Sequence, residues 1–222
     1  MTKLRSVISV AKYIVVLFVL SSCTSIGMHS KVDINEFGQP EEFRICVYQD
    51  AEITDDQRDN IMGAIHDEFV RFGIDTQIPW VEPWERQEFH TEQEFQRIVK
   101  YPLKAPCDRY LVLLGRNAGD MLYGVTMMPE ILGYVDDETM SKGVVVAEWG
   151  MSINMIVLGL SPKKIAIHET YHLLGCGHQA SAKKCYGVIK EMKAAARRFR
   201  SEGGDFFPSR NYFSGEILFE RQ

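Results

Sequence analysis

Apolar residues in this chain change their spacing several times, and each change predicts an element. Phe43 to Tyr48 (FRICVY) alternates between two faces and predicts a strand. Between Asp55 and Phe72, Ile61, Ile65, Phe69 and Phe72 recur at helical intervals, with Gly73 as a stop. Ile74 to Val81 predicts a second strand, followed by a loop containing Pro and Trp. Thr91 to Val99 predicts a short helix in which Thr91 and Glu94 suit a capping box. Tyr110 to Leu114 (YLVLL) is unbroken apolar sequence, the signature of a strand covered on both faces. Ile131 to Val135 and Val144 to Glu148 predict two strands around the acidic turn Asp136 to Glu138. A helix is expected from Pro162 to Leu174, opened by Ser161-Pro162 and stopped by Gly175. Val188 to Ser201 predicts a basic helix, and the aromatic-rich stretch Asp205 to Phe219 is expected to fold back on the core. Strands interleaved with helices in this order give an α/β fold with a mixed sheet.

The first residues do not fit that domain. Lys3, Arg5 and Lys12 precede Tyr13 to Leu20 (YIVVLFVL), an apolar run too short for a lasting bilayer span and suited to a signal-peptide core. Leu20-Ser21-Ser22-Cys23 follows and resembles the lipobox of bacterial lipoproteins. That resemblance implies cleavage before Cys23, acylation of Cys23 and a lipid anchor. With Thr24 rather than Asp after the cysteine, it further implies the outer membrane, facing the periplasm. The chain divides accordingly into a signal segment (1–22), a polar tether (23–42) with Gly38 and Pro40, and one domain (43–222). Without the three basic residues of the signal, 22 basic side chains face 30 acidic ones, a balance of −8, which argues against nucleic acid as a partner. The basic helix, with Lys190, Lys193, Arg197, Arg198 and Arg200, is read as a solvated face before it is read as a lipid contact.

An oxidising compartment changes the meaning of the remaining cysteines. Cys46, Cys107, Cys176 and Cys185 allow three pairings. Cys46 with Cys107 and Cys176 with Cys185 is favoured, the second closing a short loop; buried free thiols are the alternative.

Residues 168–178 read HETYHLLGCGH. On a helix His168 and His172 lie one turn apart on the same face, so their imidazoles can share one ion. Gly175 lets the chain turn back so that His178 can approach the ion from the other side. Three protein ligands leave a coordination position open, as catalytic zinc sites do. Glu169, beside the first ligand, is placed to take a proton from a zinc-activated water and pass it to a leaving amine. Oxyanion stabilisation could fall to a tyrosine, with Tyr186 and Tyr212 among the choices. His29, His66 and His90 are scattered, and His66, in a predicted helix, and His29, in the tether, read as ordinary surface or boundary residues.

HETYHLLGCGH matches the extended zinc signature of the metzincin peptidases, HExxHxxGxxH, at every defined position, and the small size resembles the archaemetzincin branch. The resemblance implies a zincin-like domain: a mostly parallel twisted sheet, an antiparallel edge strand that pairs with extended peptide, and an active-site helix carrying the ligands. It implies one Zn2+ per chain, held by His168, His172 and His178, with Glu169 as general base. The edge strand would be Ile131 to Val135, with Val144 to Glu148 as competitor. Two departures stand out. Met192 is the nearest choice for a Met-turn but falls in helical sequence, and the archaemetzincin cysteine cluster for a second zinc is missing. No pro-region or cysteine switch is expected before Phe43, so an enzyme here is expected to be made in active form or restrained by a partner protein. The expectation is a membrane-anchored zinc endopeptidase acting on peptides or proteins. The alternatives are an idle zinc-binding lipoprotein serving as an assembly module, or an amidase acting on cell-wall peptides.

Overall fold

The computed structural model describes residues 34–117, 120, 132–147, 161–178 and 180–221. The signal segment with Cys23, together with Ile131 and Glu148, lies outside the described residues. No helix among the described residues is long and apolar enough to cross a membrane.

The long strand β1 (Glu41–Asp50) organises the sheet. On one side it pairs in parallel with β4 (Arg109–Leu114), which pairs in parallel with β6 (Lys142–Val146). On its other side β1 pairs in parallel with two short strands, β2 (Ile74–Gln77) and then β3 (Val81–Trp84). The single strand predicted over Ile74 to Val81 is thus two, separated by Ile78-Pro79-Trp80, where Pro79 has no N–H to give the ladder. Beyond β6, β5 (Gly133–Val135) runs antiparallel as the edge strand, with Tyr134 opposite Val144. The fold is therefore α/β with a mostly parallel mixed sheet. Of the two edge candidates, the first takes the edge among the described residues, with Gly133–Val135; β6 lies inside the sheet.

Both faces of the sheet are covered, which is why β4 could be apolar from Tyr110 to Leu114. Phe43, Ile45, Val47, Leu111, Leu113 and Val145 pack on the side of α1 (Asp55–Phe69), α3 (Pro162–Leu173) and α4 (Ala182–Ser201). Cys46, Tyr110, Val112 and Leu114 face α2 (Thr91–Val99) with Phe95 and Ile98. Helix α1 is closed by a capping box between Thr54 and Gln57. The box expected at Thr91 and Glu94 does not form. His90 is the N-cap, the Thr91 N–H donates to Asp120, and the buried Glu94 instead accepts from Trp84 Nε1 (2.9 Å) and the Gln87 and Glu88 N–H groups.

Two sequence expectations change at the ends. The tether stops short of residue 42. Ile34–Phe37 forms a short 3-10 turn, and Phe37 is buried, edge-on to Phe72 with ring centroids 5.0 Å apart. Helix α4 is not a uniformly solvated basic face. Lys193 is buried, donating to the Phe37 and Phe72 carbonyls at 2.7 and 2.8 Å, and Arg197 and Arg200 both bond Glu41. Cys46 pairs with Cys107, and Cys176 with Cys185, across sequence separations of 61 and 9 residues. The C-terminal stretch ends in a small hairpin, β7 (Ser209–Arg210) with β8 (Ile217–Leu218).

Candidate metal centre

Helix α3 is built to place its last turn. Its N-cap Ser161 accepts from the Lys164 N–H, and Pro162 occupies the first turn. Tyr171 donates to Glu68 of α1 at 2.6 Å, which packs the helix against α1, and Thr170 donates to the Ala166 carbonyl at 2.7 Å; His168 and His172, one turn apart, share a face. After Leu174 the chain turns through Gly175 (φ 98°) in a Schellman closure. The Cys176 N–H bonds the Tyr171 carbonyl and the Gly175 N–H that of His172. Glycine is needed there twice over, since a Cβ would also press within 3.1 Å of Arg210 Cδ.

This turn delivers His178 to the other two histidines. The Nε2 atoms of His168 and His172 are 3.1 Å apart, and one ligand atom from each of the three imidazoles lies within 4.8 Å of the others. Two nitrogens on one tetrahedral zinc at about 2.0–2.1 Å would be roughly 3.3 Å apart, so the pair already has metal-ligand spacing. His172 Nδ1 lies 2.5 Å from the Cys176 carbonyl and donates to it. That bond fixes the tautomer and leaves the Nε2 lone pair facing the cluster, the arrangement metal-bound histidines use. Burial, reinforced by His168 and His178, pulls the His172 pKa down to about 3, so the ring is neutral and fit to ligate. His168 is half-buried and His178 exposed, which leaves the cluster open on one side.

Glu169 is 5% exposed, and burial pushes its carboxyl up to about 8. A cation on the neighbouring imidazoles would favour its ionised form. Its carboxylate rests on β5 at Gly133, where a Cβ would lie 2.5 Å from Oε1 and 2.6 Å from Cγ. Period-two alternation turns Gly133 and Val135 towards α3 while Tyr134 stacks on Phe95, 5.2 Å away on the opposite face. The Glu169 carboxylate therefore packs against the edge strand β5, one residue along α3 from His168.

Of the two tyrosines considered, Tyr212 is at the site and Tyr186 is not. The Tyr212 ring is 6.1 Å from that of His178, and Gly177 gives it room, since a Cβ there would be 2.9 Å from its Cε2. Tyr186 packs against Phe37 and Phe72 in the core. Tyr212 is held in the β7–β8 hairpin, whose loop docks on the acidic turn after β5. The Tyr212 N–H bonds the Asp137 carbonyl, and Asn211 bonds that of Glu138. Met192 lies in mid-α4, fully buried, so it forms no turn below the histidines.

Sequence reasoning missed Gly133 and Arg109. Arg109 is wholly buried and donates to four backbone carbonyls: Leu173 at the end of α3, Asp108, Phe207 and Pro208. It ties the end of the histidine helix to β4 and to the segment leading into the Tyr212 hairpin. An arginine opening a buried strand was the available signal. No protein-family model matches the chain, and no curated protein is significantly similar to it.

Proposed function

We propose that this chain is a zincin-like, membrane-anchored zinc endopeptidase of the metzincin kind. The observation that carries the reading is the convergence of three imidazoles, one with its tautomer fixed, at the end of a helix whose buried Glu169 carboxylate packs against β5, the edge strand among the described residues. His168, His172 and His178 would hold zinc, which supplies Lewis acidity when bound. The outer backbone groups of β5 are suited to pair with an extended peptide and align it past the histidines. Glu169 takes a proton from the attacking water onto its carboxylate and delivers it to the leaving nitrogen, a role matched by a carboxyl whose pKa is raised towards neutrality. The Tyr212 hydroxyl is the donor from this chain for the developing oxyanion. Cys23 would carry the lipid, placing the domain at the bacterial outer membrane, in the periplasm.

The test is zinc content of the mature protein beginning after Cys23, beside His178→Ala and Glu169→Ala. About one zinc per chain is expected in the wild type and in Glu169→Ala, and loss in His178→Ala. Chelator-sensitive cleavage of a mixed peptide library should be abolished by both substitutions. Zinc without cleavage of peptides or cell-wall cross-links would leave the idle binding module. No zinc after reconstitution would sink the metallopeptidase reading.

A further inference from the structure

The two disulfides hold different things. Cys46–Cys107 joins β1 to the loop before β4, inside the core on the α2 side. Cys176–Cys185 joins the segment between the second and third histidines to the first turn of α4, and both cysteines are fully buried. That segment reads Gly175-Cys176-Gly177-His178. Flanking glycines make it intrinsically the freest stretch of backbone near the site. Yet it must do two things accurately: hold the Cys176 carbonyl on His172 Nδ1 at 2.5 Å and present His178 two residues later.

We propose that the Cys176–Cys185 disulfide is a positioning element of the metal site, fixing the Cys176 carbonyl and the approach of His178 and thereby setting metal affinity. The proposal rests on the zinc reading above. Loop length sets the chain-entropy contribution of a cross-link, so a bridge closing 9 residues contributes less to global stability than one closing 61. Its placement therefore accounts for it better than its effect on the unfolded chain. The carbonyl it holds belongs to a class of outer-shell partner whose loss typically weakens metal binding about 10–100-fold.

The experiment compares the mature protein with two paired variants, Cys46→Ala/Cys107→Ala and Cys176→Ala/Cys185→Ala. The zinc dissociation constant is read by competition with a chromophoric chelator, and the Tm of the zinc-free form by circular dichroism. The effects should cross. The first pair should lower Tm more and keep zinc affinity within about twofold, while the second lowers Tm less and weakens zinc about 10–100-fold. If the alanine pair at 176 and 185 does not fold, Cys176→Val/Cys185→Ala restores buried volume and carries the same comparison. Equal zinc affinity in all folded forms overturns the proposal and leaves the zinc reading intact. Failure of the wild type to bind zinc overturns both.

Discussion

At the scale of single residues, the contact between Gly133 and Glu169 decides how the carboxylate is aimed. Position 133 is 36 residues from Glu169 in sequence, and a methyl there would overlap the carboxylate. Gly133→Ala should therefore destabilise the domain by about 1–3 kcal/mol, as overpacking a close-fitted site does. Combined with Glu169→Ala, which vacates the space, the same substitution should cost less than about 0.5 kcal/mol. Urea unfolding of the four proteins in the cycle measures this coupling, and additive effects would show that the two groups do not compete for space. The histidines and Glu169 were legible because their spacing is set within one helix and one turn. Gly133 was not, because a glycine leaves no periodic trace and its partner is remote. Tyr212 could be shortlisted but not chosen, since what separates it from Tyr186 is the docking of the hairpin on Asp137 and Glu138.

At the scale of elements, the helices and the buried strand β4 followed from periodicity, and the departures came where tertiary contacts captured a local signal. Glu94 gave up its capping role to receive Trp84 and two backbone N–H groups, and Pro79 broke one predicted strand into β2 and β3. Arg109 is the reverse case, a residue against the local pattern that the assembly requires. Its guanidinium donates to backbone carbonyls at the end of α3, at Asp108 and at 207–208, and burial lowers its pKa to about 10. Arg109→Met keeps much of the volume but orphans these acceptors, each costing on the order of 1–3 kcal/mol. A loss of about 3–5 kcal/mol is expected by chemical denaturation. On the proposed zinc reading, Arg109→Met should also weaken zinc binding more than a core substitution of similar cost on the α2 side, such as Ile98→Ala, because the helix end it releases carries His172.

At the scale of the whole molecule, the domain begins earlier than composition suggested. Polar sequence around Gly38 and Pro40 hid the one residue that matters there, Phe37, which enters the core between Phe72 and Tyr186 while its carbonyl receives Lys193. A protein starting at Gln39, which keeps all of β1, should be less stable than one starting after Cys23 by about 2–4 kcal/mol, from an exposed aromatic pocket and a buried ammonium short of an acceptor. Differential scanning calorimetry of the two forms checks it, and equal Tm values would restore residues 34–38 to the tether. The same attachment bears on how the molecule carries load. Tension applied at the N-terminal end passes the Phe37 clasp and then runs along β1, whose ladders to β2, β3 and β4 lie side by side with the direction of pull. Such bonds must shear together and cannot unzip one after another. The N-terminal end is therefore the mechanically strong end, while β5 and the histidine cluster sit across the sheet, outside the line of force.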